Sequence, residues 1–189
     1  AGDGGPAIEG ELAEPKGIAV DLVGNVFIAD TENHRVRRID GVSGIISTIA
    51  GFGTPIKCRS YSYGGPCDQF RPESDTSNLN QVATGAGYSG DGGAAVEAML
   101  SLPSGVAIGP NGNVFIADGG VRVRKVDTST GVITTLVAGE AETTTQSGQV
   151  LVRSGIFGEI VSIAVNAEGD IFLSDYKMNL VHRVSAKPQ

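Results

Sequence analysis

Short apolar or β-branched runs alternate along the chain with short polar, glycine-bearing breaks. In the first stretch the runs are GIAVD at 17–21, NVFIAD at 25–30, RVRRID at 35–40 and IISTIA at 45–50. The breaks between them read LVGN, TENH and GVSG, which is turn chemistry of the kind that joins antiparallel strands. Four short strands linked by tight turns predict an antiparallel meander. The rhythm returns at 105–109, 113–118, 122–127 and 132–137. It returns again near 161–165, 170–175 and 180–184, and the chain then stops at SAKPQ before a fourth run.

The returns are true repeats. GNVFIAD occurs at 24–30 and again, residue for residue, at 112–118, an offset of 88. The same offset carries Pro15 to Pro103, Gly17 to Gly105, Asp30 to Asp118, and GDGG at 2–5 to GDGG at 90–93. A weaker third copy, SIAVNAEGDIFLSD at 162–175, lies 57 residues beyond GVAIGPNGNVFIAD at 105–118. A four-stranded sheet repeated along one chain predicts an all-β fold, a β-propeller whose blades stack face to face. VFIA is apolar almost throughout, as expected of a strand buried on both faces.

PKGIAVDLVGNVFIADTENHRVRRID in the first unit resembles the NHL repeat, a propeller blade. The second unit follows the pattern but carries GGVRVRKVD where the first has TENHRVRRID, so the Asn-His pair is lost and the turn is one residue shorter. The resemblance implies four-stranded antiparallel blades in an incomplete arc of about three. Blade 1 is expected at 1–51, blade 2 at 88–139 and a partial blade 3 at 155–189. Residues 52–87 and 140–154 break the rhythm and read as inserted loop and linker segments. Such propellers usually present loops to a protein partner. The expected function is therefore a non-enzymatic interaction or structural module within a larger propeller or assembly. The alternative is a fragment of a calcium-dependent propeller lyase or hydrolase.

Composition narrows the partners. The formal net charge is −7, with a pI near 4.8 and no basic run. Nucleic acid and anionic membrane surfaces are therefore not expected partners. No apolar stretch is long enough to span a bilayer. The only cysteines, Cys58 and Cys67, flank the turn-rich RSYSYGGP and read as a small disulfide loop; that implies an oxidising, extracellular or luminal compartment. Around them Arg59, Tyr61, Tyr63, Phe70 and Arg71 are residue types favoured at interfaces, and they are the candidate partner-binding set.

The repeated residues themselves read as scaffold. Asp30, Asp118 and Asp175 each end a second strand, where a carboxylate caps a hairpin through backbone N–H groups. Arg35 and Arg37, matched by Arg122 and Arg124, share one face of the third strand, with Leu180 and His182 in those places in the third unit. Their stems are expected to pack between blades, with the heads satisfied by carbonyls or acids. His34 and His182 occupy different positions in different units and do not read as a pair. GDGG reads as a flexible inter-blade turn. No catalytic, cofactor-binding or metal-binding residue is assigned, although Glu9, Glu97 and Glu159, read as acids unmatched by the repeat, leave a calcium site open. AGDGG at the start resembles the tail of a preceding blade. The expectation is a segment of a longer polypeptide, or a chain that packs against another supplying further blades.

Overall fold

A computed structural model of the chain describes residues 1–53, 89–138 and 157–185. Eleven strands follow in chain order: β1 (Pro15–Val20), β2 (Val26–Asp30), β3 (Arg35–Ile39), β4 (Ile46–Ala50), β5 (Gly105–Ile108), β6 (Val114–Asp118), β7 (Arg122–Asp127), β8 (Val132–Ala138), β9 (Ile160–Val165), β10 (Ile171–Asp175) and β11 (Leu180–Val184). They form two four-stranded meanders, β1-β2-β3-β4 and β5-β6-β7-β8, and one three-stranded sheet, β9-β10-β11. All pairings are antiparallel, and β1 pairs β2 with Ile18 opposite Ile28 just as β5 pairs β6 with Val106 opposite Ile116.

The sheets stack as blades. One core lies between the first two, built from Phe27, Val36 and Ala50 on one side and Val106, Val114, Ile116 and Ile133 on the other. A second lies between the second and third, where Phe115, Ala117, Val123 and Val137 meet Ile163, Ile171, Leu173 and Val184. In β6, Val114 and Ile116 face blade 1 while Phe115 and Ala117 face blade 3. A strand enclosed on both sides must be apolar at every position, which accounts for the run in VFIA.

The first strand of each sheet packs on the first strand of the next, β1 on β5 and β5 on β9. Glycine sets that approach. A Cβ built on Gly17 would stand 2.6 Å from the Gly105 Cα, and one on Gly105 would stand 3.0 Å from the Ile163 side chain. The third blade has Ser162 at the equivalent place.

Candidate functional site

The repeated Asp and Arg form one unit with the segment that leads into each blade. Arg37 on β3 is fully buried. Its guanidinium donates to Asp30 at 3.3 Å, to Asp3 of the first GDGG at 2.7 Å, and to the Glu11 and Ala1 carbonyls, each at 3.4 Å. Asp30 accepts the Ala13 N–H at 2.7 Å and the Asn33 amide at 2.8 and 2.9 Å. The arrangement recurs in blade 2. Buried Arg124 donates to Asp91 of the second GDGG at 2.7 Å and to the Met99 and Ser89 carbonyls at 3.2 Å each. Asp118 takes the Ser101 N–H at 2.5 Å. Burying a guanidinium demands such pairing; here the terminal nitrogens are paired, and the Nε of Arg37 and of Arg124 has no hydrogen bond among the described residues.

GDGG is a turn, closed by the Gly5 N–H to the Gly2 carbonyl at 3.2 Å with Gly2 and Gly4 at positive φ, and the first copy is fastened to the blade that follows it rather than left as a preceding blade's tail. Gly4 donates to the Ile46 carbonyl at 2.9 Å, Ile46 donates back to Gly5 at 3.0 Å, and Pro6 bridges Ile45. The segment lies along the outermost strand of the blade that follows it. Thr48 fastens Asp3 from that strand at 2.7 Å, and the Thr135 N–H does the same for Asp91 at 3.0 Å. The aspartates at the strand ends likewise reach beyond their hairpins, since each accepts a backbone N–H from the lead-in segment: Ala13, Ser101, and Gly158 with Glu159.

The copies differ where the second turn is shorter. With Asn33 absent from that turn, the Oδ2 of Asp118 has no hydrogen bond among the described residues and only the Arg124 guanidinium at 3.5 Å. Burial pushes this carboxyl up to about 6, against the Ser101 N–H and the Arg124 and Arg122 charges. In blade 3, His182 replaces the arginine, 3.2 Å from Asp175, with its ring edge-on to Phe157 at 4.8 Å between centroids. Burial opposes ionisation of Asp175, but the N–H groups of Gly158, Glu159 and Met178, with His182, hold its carboxyl below the ordinary range.

His34 sits in the left-handed region at φ 52° and ties two blades together. Its Nδ1 accepts the Leu102 N–H at 3.0 Å, and nearby Thr31 donates to the Pro103 carbonyl at 2.8 Å. Burial lowers the His34 pKa, in keeping with a neutral ring that accepts at Nδ1. The two histidines are not brought together. Glu9 and Glu97 are themselves related by the 88-residue offset, each ending a short 3-10 helix, so they are matched acids. Glu159 pairs with Lys177 at 3.4 Å. Among the described residues no group of three or more His, Cys, Asp and Glu side chains could hold a metal ion. Arg35 donates to the Phe52 carbonyl at 3.1 Å. Cys58, Cys67, Arg59, Tyr61, Tyr63, Phe70 and Arg71 lie outside the described residues.

The blade faces at the two ends of the arc are open. Ile18 is 68% exposed, whereas Val106, its equivalent in blade 2, is 4% exposed beneath blade 1. At the other end Val181 is 72% exposed, whereas Val36, its equivalent, is fully covered by blade 2.

Three stacked antiparallel sheets, with their first strands side by side, define an arc of a β-propeller built of NHL-type blades. The sequence profile of the teneurin NHL domain matches residues 1–67 and 80–153, and the chain belongs to that family. Mouse (Mus musculus) teneurin-1 is 35% identical over 123 residues, a match covering 64% of this chain and 4% of teneurin-1. The chain thus spans a small part of the curated relatives it matches. Its fold is similar to a Bacteroides thetaiotaomicron protein of unknown function, with a TM-score of 0.57 at 17% identity over 94% of this chain and 37% of that one. It is also similar to a catalytically inactive virginiamycin B lyase from Staphylococcus aureus, with a TM-score of 0.50 at 15% identity over 94% and 40% of the two chains. Identities this low speak to fold alone.

Proposed function

We propose that the chain is a non-enzymatic protein-interaction and scaffold module whose blades form part of a larger propeller or assembly. One observation carries this reading: the face that blade 2 buries against blade 1 is present again on blade 1 with its first strand uncovered, Ile18 at 68% and Val20 at 61% exposure. Apolar strand faces of this kind are stable in water only when something covers them. The buried Asp–Arg units support the same reading, because they spend their charges on holding lead-in segments to blades. No nucleophile and base meet among the groups described above. Ile18 is exposed here, so Ile18→Asp is expected to leave the fold of the arc unchanged and to abolish association through this face, read by native mass spectrometry. Association unchanged in Ile18→Asp would overturn the reading.

The reading extends to residues 52–87. We propose that Cys58 and Cys67 form a disulfide, that Arg59, Tyr61, Tyr63, Phe70 and Arg71 contribute to partner binding, and that the module works outside the cell. Support comes from the short spacing of the cysteines and from the lack of blade rhythm over this segment, in which Phe70 and Arg71 fall in the break of the family match at 68–79. Intact mass with and without reductant tests the bridge, and two free thiols in the native protein would overturn both it and the extracellular assignment.

A further inference from the structure

Blade 1 differs from its sister blades along one rim. Ile8, Leu22, Val23 and Val42 are between 75% and 103% exposed there. Leu22 and Val23 sit in the β1–β2 turn and Val42 in the β3–β4 turn. Ile8 is in the lead-in segment, which is tied to the β3–β4 turn by the Ala7 N–H to the Gly44 carbonyl at 2.8 Å. In blade 2 the turn positions are Pro110, Asn111 and Ser129, and in blade 3 the β1–β2 turn carries Ala167 and Glu168. The aliphatic turn residues Leu22, Val23 and Val42 are thus particular to blade 1, whereas Ile8 is matched at the 88-residue offset by the exposed Val96 of blade 2.

The turns are held rigid. Asp21 accepts the Val23 N–H at 3.0 Å, the Asn25 N–H at 2.8 Å and the Asn25 amide at 2.7 Å. Asp40 accepts the Val42 N–H at 3.1 Å and the Ser43 N–H at 2.9 Å. Asn25 Oδ1 then joins the two turns, accepting from Arg38 at 2.8 Å and from the Gly41 N–H at 3.0 Å. The backbones touch: a Cβ on Gly41 would stand 2.5 Å from the Gly24 carbonyl oxygen. Blade 2 joins its turns in the same way, Asn113 Oδ1 accepting the Thr128 N–H at 3.3 Å, but has Gly109 in place of Asp21 and so lacks the Asp21 cap on the first turn. A fixed backbone presenting aliphatic side chains loses little freedom on docking.

We propose that this ridge is a docking element that inserts into an apolar cavity of a partner protein whose rim is basic. The charge beside the ridge argues for that rim. Asp21, Asp40 and exposed Glu9 lie along it, and the cation between its turns, Arg38, is bound to Asp40 at 2.8 Å. Slight burial works against Asp21, but the Asn25 amide and the Asn25 and Val23 N–H groups hold its carboxyl below the ordinary range. The Ser43 and Val42 N–H groups do the same for Asp40. Acids that stay ionised repel an anionic bilayer and attract Lys and Arg.

This inference rests on the reading of the chain as a protein-binding module, but it concerns a different surface from the open blade faces. The probe is heptakis(6-amino)-β-cyclodextrin, an apolar cavity rimmed by ammonium groups, added to the full methyl-labelled chain and followed by NMR. Saturable shifts are expected at the Ile8, Leu22, Val23 and Val42 methyls, with weaker binding of neutral β-cyclodextrin. The double variant Leu22→Ser, Val42→Ser is expected to bind about tenfold more weakly with an unchanged melting temperature. Absent shifts, equal affinity for the neutral host, or an unaffected double variant would overturn the proposal. So would broadening of the same methyls by phosphatidylcholine vesicles, because the ridge would then be a lipid contact. Ile18→Asp alters association through the open face without touching these turns, so either reading can fail alone.

Discussion

Arg37 and Arg124 show how one side chain can organise a blade. Each is buried and joins a strand-end aspartate to a GDGG aspartate far away in sequence. Arg37→Met leaves Asp30 buried without its cation and is expected to cost about 3–5 kcal/mol in denaturant unfolding. Arg38→Met removes a half-exposed pair and is expected to cost no more than about 1 kcal/mol. Asp118 adds a pH signature. Its carboxyl titrates near 6 in the folded chain and near 3.8 when unfolded. Between those values the folded chain holds a proton that the unfolded chain has released, so this group makes stability fall as pH rises from about 4 to 6. Asp118→Asn is neutral in both states. The fall, about 3 kcal/mol for a shift of this size, is expected to be missing from its urea-unfolding profile relative to the parent. Parallel profiles would show that Asp118 titrates normally.

At the scale of the element, the strands were legible because their periodicity and their turn residues agree. Gly24, Gly44, Gly112 and Gly131 all adopt positive φ at the turns where the pattern ends each run. The lead-in segments were legible only as repeated glycines. GDGG has no apolar period to betray that it pairs with an outer strand, since its partners are backbone groups of Ile46 and Ile133. The Asp3–Arg37 link was hidden for a second reason: the shorter turn shifts the arginine by one residue, so Asp91 keeps the 88-residue offset while Arg124 does not. That Glu9 and Glu97 are matched, by contrast, was there in the offset itself. The inter-blade approach yields its own test. Gly17→Ala places a methyl 2.6 Å from the Gly105 Cα, and overpacking of this kind costs about 1–3 kcal/mol. Hydrogen exchange is expected to quicken in β1 and β5 while β10 and β11 are unaffected. Uniform acceleration would mean that the three blades open as one.

For the whole molecule, the arc is a stack whose middle blade is complete and whose outer faces are not. Blade 2 has apolar neighbours on both sides, while Ile18 and Val181 mark the faces that lack them. The match to the teneurin NHL domain agrees with blades that stack in a propeller. The central claim is that these faces are covered in the working protein. Native mass spectrometry of the protein isolated without denaturation tests it most directly. The account predicts a species well above 19.3 kDa, either a longer polypeptide or this chain bound to a partner. A stable, monodisperse monomer of 19.3 kDa, with Ile18 and Val181 open to solvent, would contradict it.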